Sequence, residues 1–286
     1  MMRLVRLFAL DVRKGIVFRW KWFAACFVIV LALSLLSSAY AQEAYRMSEG
    51  RFGIATPFSF GDMCMSLFAG IPVYLPHADM PFNLPTEWLL VLLLAAFTTL
   101  TYPLQDLETV GVNVVAMCGS RLLWWLAKCL WVVASVVLFY AVAFAAMALA
   151  TVLVTGQLSL SMTAGLPGYL EFGVMLFDQS QWDTGLFLLM VPCVLCAVCF
   201  IQLLASLFFG TLPAFALTVA LLFFSAYYDQ GILLGEYLMA ARSCAFGTGG
   251  HSIWVGLALS AVFSLWAICH GAFLFSRMDV YAGRPL

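Results

Sequence analysis

The sequence predicts an all-α polytopic membrane protein with six transmembrane helices and both termini in the cytoplasm, and three observations carry that prediction. Of its 286 residues 65% are hydrophobic and 9% charged, with a mean hydropathy of +1.04. A soluble chain carries about 25% charged residues, so there is too little polar surface here to coat a globule. The charge deficit runs the whole length in apolar stretches, and a membrane helix needs about 20 such residues. The remaining charges are distributed asymmetrically between the loops. A soluble catalytic domain on a small anchor is thereby excluded, as is disorder. Basic residues alternate with apolar ones instead of forming a block, so nucleic acid is not an expected partner.

Span one, residues 22–41, follows a segment holding Arg3, Arg6, Arg13, Lys14, Arg19 and Lys21. Ala39-Tyr40-Ala41 has the small-x-small form of a cleavage site. The run is nevertheless long enough to span and its basic flank is long for a signal peptide, so retention is the expectation. Span two, 88–104, is short and meets Pro103. Span three, 122–154, exceeds one crossing, so its first turns, with Arg121 and Lys128, are expected to project from the membrane. Span four is 186–209. Span five is 212–227, with Pro213 in its first turn, where a missing amide is tolerated, and span six is 253–275. Outer segments 57–75, 158–177 and 231–246 are apolar but broken by Gly or Pro. They read as re-entrant or interfacial hairpins, with a seventh span inside 57–75 as the alternative. No internal repeat divides the chain, so residues 1–286 form one transmembrane domain.

With both termini inside, ten of the thirteen basic residues fall inside, and only Arg46, Arg51 and Arg242 outside. Four of the fourteen acids, Asp11, Asp106, Glu108 and Asp279, are inside. Ten minus four gives +6 inside and three minus ten gives −7 outside, as the positive-inside rule requires. Two cytoplasmic segments read as amphipathic. Arg3, Arg6, Arg13, Lys14 and Lys21 share one helical sector, away from Leu4, Phe8, Val12, Gly15 and Ile16, which describes either a helix on the inner leaflet or a basic flank orienting span one. Between spans two and three, Asp106 reads as an N-cap, Glu108 sits in the first turn, and Leu107, Val110, Val114 and Met117 follow helical spacing up to Gly119. That helix is either a membrane-skimming connector or a docking surface.

Little chemistry is written in the chain itself. No phosphate loop is present, so any ATP coupling has to come from another chain, and no catalytic, cofactor or metal residue is expected. His77, His251 and His270 are scattered and read as loop polarity, and Gly247 to Gly250 reads as a flexible turn. Cys193, Cys196 and Cys199 read as small apolar interface residues that drift around span four. Cys64 and Cys244 both fall outside, which leaves a disulfide between them open. Ionisable groups within spans are nearly absent: Gln202, His270 and Lys128 lie where snorkelling or one interhelical hydrogen bond suffices. This disfavours a proton- or sodium-coupled transporter, which needs a buried carboxylate or a broken helix at mid-membrane.

Three stretches resemble the membrane-spanning permease subunit of type 2 ATP-binding-cassette (ABC) exporters. They are Glu108-Thr-Val-Gly111 through Ser120-Arg121 to Lys128, then Leu233-Leu-Gly-Glu-Tyr-Leu-Met-Ala-Ala-Arg242, and Phe275-Ser-Arg-Met-Asp-Val280. Departures are Gly119 where the family has Pro, a short gap from Gly111 to Arg121, and thin charge around it. The resemblance implies a coupling region formed by Asp106, Glu108, Gly111, Val114, Met117, Ser120 and Arg121, contacting a separate ATPase subunit in two copies that carries the ATP. It further implies a second permease copy or similar chain, residence in the cytoplasmic membrane, and no enzymatic activity in this chain. Export of an amphiphile, such as a drug, antimicrobial peptide or lipid, is the expectation, given the apolar spans. A ligand-binding sensory or immunity protein without ATP coupling is one alternative. A lipid-modifying enzyme using Glu171, Asp178 and Asp183 is another.

Overall fold

Apolar runs with few Gly or Pro interruptions form long helices in the computed structural model, which describes residues 2–52, 59–74, 82–107, 120–156, 158–160, 184–246 and 250–277. Nine α-helices lie among them: α1 (Met2–Gly15), α2 (Trp20–Phe52), α3 (Phe60–Leu67), α4 (Thr86–Leu100), α5 (Tyr102–Asp106), α6 (Arg121–Thr155), α7 (Thr184–Phe209), α8 (Thr211–Tyr227) and α9 (Ile253–Arg277). Among the described residues there is no strand, only an isolated bridge between Ser243 and His251.

Five helical stretches are long and apolar enough to cross a membrane: Arg3–Tyr40, Thr86–Asp106, Arg121–Thr155, Thr184–Phe209 and Ile253–Arg277. The remaining expected span, span five, corresponds to α8, an apolar helix of 17 residues. At 1.5 Å per residue it covers about 26 Å, against a hydrocarbon core of about 30 Å. Gly210, at φ +84°, turns the end of α7 directly into α8, a backbone conformation that a side chain would strain. Thr101 interrupts the second stretch, and the chain resumes as α5 with Pro103 in its first turn.

Polarity is arranged inside out. Leu153, Leu189, Leu212 and Trp254 are all more than 60% exposed, whereas Ser135, Thr151, Gln202 and Ser225 are buried. Such a surface suits hydrocarbon as solvent, and hydroxyls in these helices return to their own backbone: Ser34 to the carbonyl of Val30, Thr151 to that of Met147, Ser225 to that of Leu221. Gln202 does more than one bond's work. Its amide donates to the Ala96 carbonyl at 2.9 Å and its oxygen accepts from Thr218 at 2.8 Å, joining α4, α7 and α8.

The core is built on α6 and α7. Helix α6 packs against α1, α2, α3, α4 and α9, and α7 against α4, α8 and α9. Gly271 lets α9 approach α6 so closely that a Cβ there would stand 2.1 Å from the Trp125 ring. Cys193, Cys196 and Cys199 are exposed, intermediate and buried in turn, the drift expected of positions three apart on a helix.

The end of the bundle opposite α1 is capped by short elements. Helix α3 is eight residues long, too short for a seventh span among the described residues of 57–75. It is held by a capping box in which Ser59 Oγ accepts from the Asp62 amide and Asp62 Oδ2 from the Ser59 amide. After it, the carbonyls of Phe68 and Ala69 accept from the amides of Ala240 and Ala241, and Trp88 donates to the Leu238 carbonyl. Two 3-10 turns, Leu234–Leu238 and Ala240–Arg242, complete this cap. Arg242 is 2% exposed and its donors all find carbonyls: Nε that of Ile71, Nη1 those of Ser225 and Tyr228, Nη2 those of Ala226 and Pro72. It thus satisfies the orphan carbonyls at the end of α8. Burial pushes its guanidinium below the ordinary value, opposed by Asp229 and Glu236. Cys64, buried on α3, and Cys244, exposed after the second turn, are free thiols.

Candidate functional site

The densest charge among the described residues lies at the α1 end. Leu7, Asp11 and Gly15 recur every fourth residue on α1 and form its buried face. Gly15 is required there because a Cβ would stand 2.3 Å from Trp131 Nε1. This close approach brings Asp11, an acid in the middle of a basic helix, against α6.

Lys128 meets it. Two turns into α6, Lys128 is 1% exposed, with Nζ 2.5 Å from Asp11 Oδ1 and 2.7 Å from Asp106 Oδ2. Two carboxylates from neighbouring helices satisfy the ammonium inside the protein, so Lys128 is paired where a solvated or snorkelling side chain was expected. Tyr102 donates to Asp11 Oδ1 at 2.8 Å, and the ammonium also lies over the rings of Tyr102 and Trp124, 4.7 Å and 5.0 Å from their centroids. Around this centre Lys14 stands 3.6 Å from Asp106 Oδ1, while Arg19 donates to Thr101 Oγ1 and Gln105 Oε1. Lys128 and Lys14 thus stand against Asp11 and Asp106, two basic side chains to two acidic ones. Its cavity, among Leu7, Asp11, Lys14, Asp106, Trp124 and Lys128, is about 20 Å³, room for about one water. The arrangement can lock three helices together.

Arg3, Arg6 and Arg13 lie on the exposed face of α1, and Lys14 is half-buried in the cluster. Of the apolar face expected to lie on lipid, Gly15 is buried and Leu4, Phe8, Val12 and Ile16 are partly buried, while the adjoining Leu7 and Asp11 are buried beside it. Asp106 closes α5 and faces Lys128. Ser120 caps α6, accepting from the Leu123 amide, and Arg121 donates to the Ser276 carbonyl near the end of α9. Glu108, Gly111, Val114 and Met117 lie outside the described residues, as does the helix that Asp106 was expected to cap. Sequence reasoning missed Asp11 and Tyr102 and gave Lys128 only a marginal place. The signal available was a lone acid at the spacing of Leu7 and Gly15, and a lysine inside an otherwise apolar helix.

No protein-family model, curated protein or solved structure matches this chain.

Proposed function

We propose that this chain is the permease subunit of an ATP-driven exporter, with α1, the cluster around Lys128 and the 108–119 connection facing the cytoplasm. Under this reading α8 is a sixth crossing, the cap carrying Arg242 faces outside, and a separate ATPase subunit supplies the energy. Cargo is amphiphilic, in keeping with apolar helices that carry few charges.

One observation carries the reading. Both ends of the 108–119 connection are tied into the bundle by charge: Asp106 through Lys128 to α1 and α6, and Arg121 to the end of α9. Force applied to the connection is therefore delivered at once to α1, α5, α6 and α9, which is what coupling to a partner that closes on ATP requires.

The test is affinity purification of the tagged chain from its own cells in mild detergent, with mass spectrometry of what accompanies it. A stoichiometric partner with a nucleotide-binding phosphate loop is expected. Deleting Val110 to Met117 should remove it, and with it substrate-stimulated ATP hydrolysis, while the chain stays in the membrane. A chain that comes down alone, under conditions that preserve other complexes, would overturn ATP coupling and favour a ligand-binding sensory or immunity protein.

A further inference from the structure

Away from the Lys128 cluster, at the opposite end of the bundle, the fold brings together three metal-ligating side chains that are 22 and 15 residues apart from His251 in sequence: Asp229, Glu236 and His251 itself. We propose that they bind a divalent first-row transition cation of the zinc class, through two carboxylates and one imidazole. The proposal rests on this geometry alone and is independent of the transport reading.

The ligand atoms lie within 4.8 Å of one another. His251 Nε2 stands 3.5 Å from Glu236 Oε2 and 2.7 Å from Asp229 Oδ1. Ligands about 2.0–2.2 Å from a tetrahedral ion are roughly 3.3–3.6 Å apart. The imidazole and Glu236 already have that spacing, and Asp229, on a partly exposed turn, is the one that has to open slightly.

The other two are held. Glu236 is fully buried, and its Oε1 and Oε2 accept from the amides of Gln230 and Gly231 at 2.9 Å and 2.6 Å. Each oxygen keeps a second lone pair for an ion. His251 is fixed through its backbone, its amide donating to the Arg242 carbonyl and its carbonyl accepting from the Cys244 amide. For Glu236, whose ligating oxygens are themselves the acceptors, such outer bonds are the usual support of a metal ligand, while those of His251 fix its backbone. Arg242 is the nearby cation; its five N–H donors are all directed at carbonyls, so it donates no hydrogen bond to the two carboxylates, although its charge acts on both.

Ligand type selects the ion. Imidazole with carboxylates suits zinc-like cations, whereas calcium takes six to eight oxygens and magnesium keeps mostly water and oxygen ligands. Asp229 and His251 are 34% and 21% exposed, which leaves access and an open position for water. A bound ion would join the segment leaving α8 to the residue two before α9, drawing the ends of those helices together.

Nine cysteines make thiolate binding the competing outcome, so the probe is Co2+, whose intense near-ultraviolet charge-transfer band reports thiolate ligands and is missing with nitrogen and oxygen ligands. In titrations of the full chain in detergent, one Co2+ per chain is expected, displaced by Zn2+ and lacking that band. His251→Gln and Asp229→Asn should each weaken binding more than about tenfold, while His270→Gln, on the far part of α9, should not. Asp229→Asn changes a partly exposed side chain and keeps the fold testable if His251→Gln does not express. A thiolate band, equal binding by wild type and both variants, or no binding by wild type overturns the proposal. Any of these leaves partner capture by the 108–119 connection unaffected.

Discussion

Lys128 carries more consequence than its single charge suggests, because two buried carboxylates depend on it. Substituting methionine keeps the length of the stem but leaves Asp11 and Asp106 facing each other without a buried cation. Breaking a buried ion pair from one side costs about 3–5 kcal/mol, and Lys128→Met should lower thermal stability in detergent accordingly. The triple variant Asp11→Asn, Asp106→Asn, Lys128→Met removes the charges together and should recover most of that loss. If the single variant is as stable as wild type, the cluster does not hold α1 in place. Arg242 plays the comparable part at the other end, with carbonyls in place of carboxylates. Neither role could be assigned from the residues alone, since a lysine near a helix start and an arginine in a loop are ordinarily solvated. Their partners are distant in sequence, Asp11 being 117 residues from Lys128.

At the scale of elements, α1 is the informative case. Its basic sector and its apolar stripe are both legible in the sequence, and three of its arginines do face outward. What periodicity could not supply is the surface under the stripe. One edge of the stripe, Leu7, Asp11 and Gly15, is buried, with Gly15 against Trp131 of α6, so helix-to-helix contact takes part in fixing its position. Gly15→Ala should push α1 away from α6 at a cost of about 1–3 kcal/mol. Shrinking the opposing ring, as in Gly15→Ala with Trp131→Leu, should relieve part of it. Thermal unfolding of the two variants measures the difference; equal stability of wild type and Gly15→Ala would mean that α1 is not seated there. Helix α8 shows the opposite limit. Its apolar run is plain in the sequence, but Gly210 starts it immediately after α7 and Tyr227 ends it after 17 residues.

For the molecule as a whole, the proposed orientation makes a direct prediction. Cys244 is exposed in the cap and Arg13 exposed on α1, at opposite ends of the bundle. In intact cells a membrane-impermeant maleimide should label Cys244 and spare a cysteine introduced at Arg13 in a Cys244→Ala background, with permeabilised cells labelling both. The reverse pattern would invert the topology and move the Lys128 cluster outside. The sequence by itself determined the helical, membrane-embedded class, because hydropathy and helix length are local sums over neighbouring residues, and unbroken apolar runs of about 20 residues satisfy their backbone within the segment as helices. It also located four of the five long apolar helices within a few residues, while the first, expected over 22–41, lies in a helix running Trp20–Phe52. Tertiary structure alone decided which polar groups meet: Lys128 with Asp11 and Asp106, Arg242 with the end of α8, and His251 with Asp229 and Glu236. Those pairings depend on which helix faces which, and in an apolar interior that is set by close packing at small residues such as Gly15 and Gly271 and by the need to satisfy every buried charge.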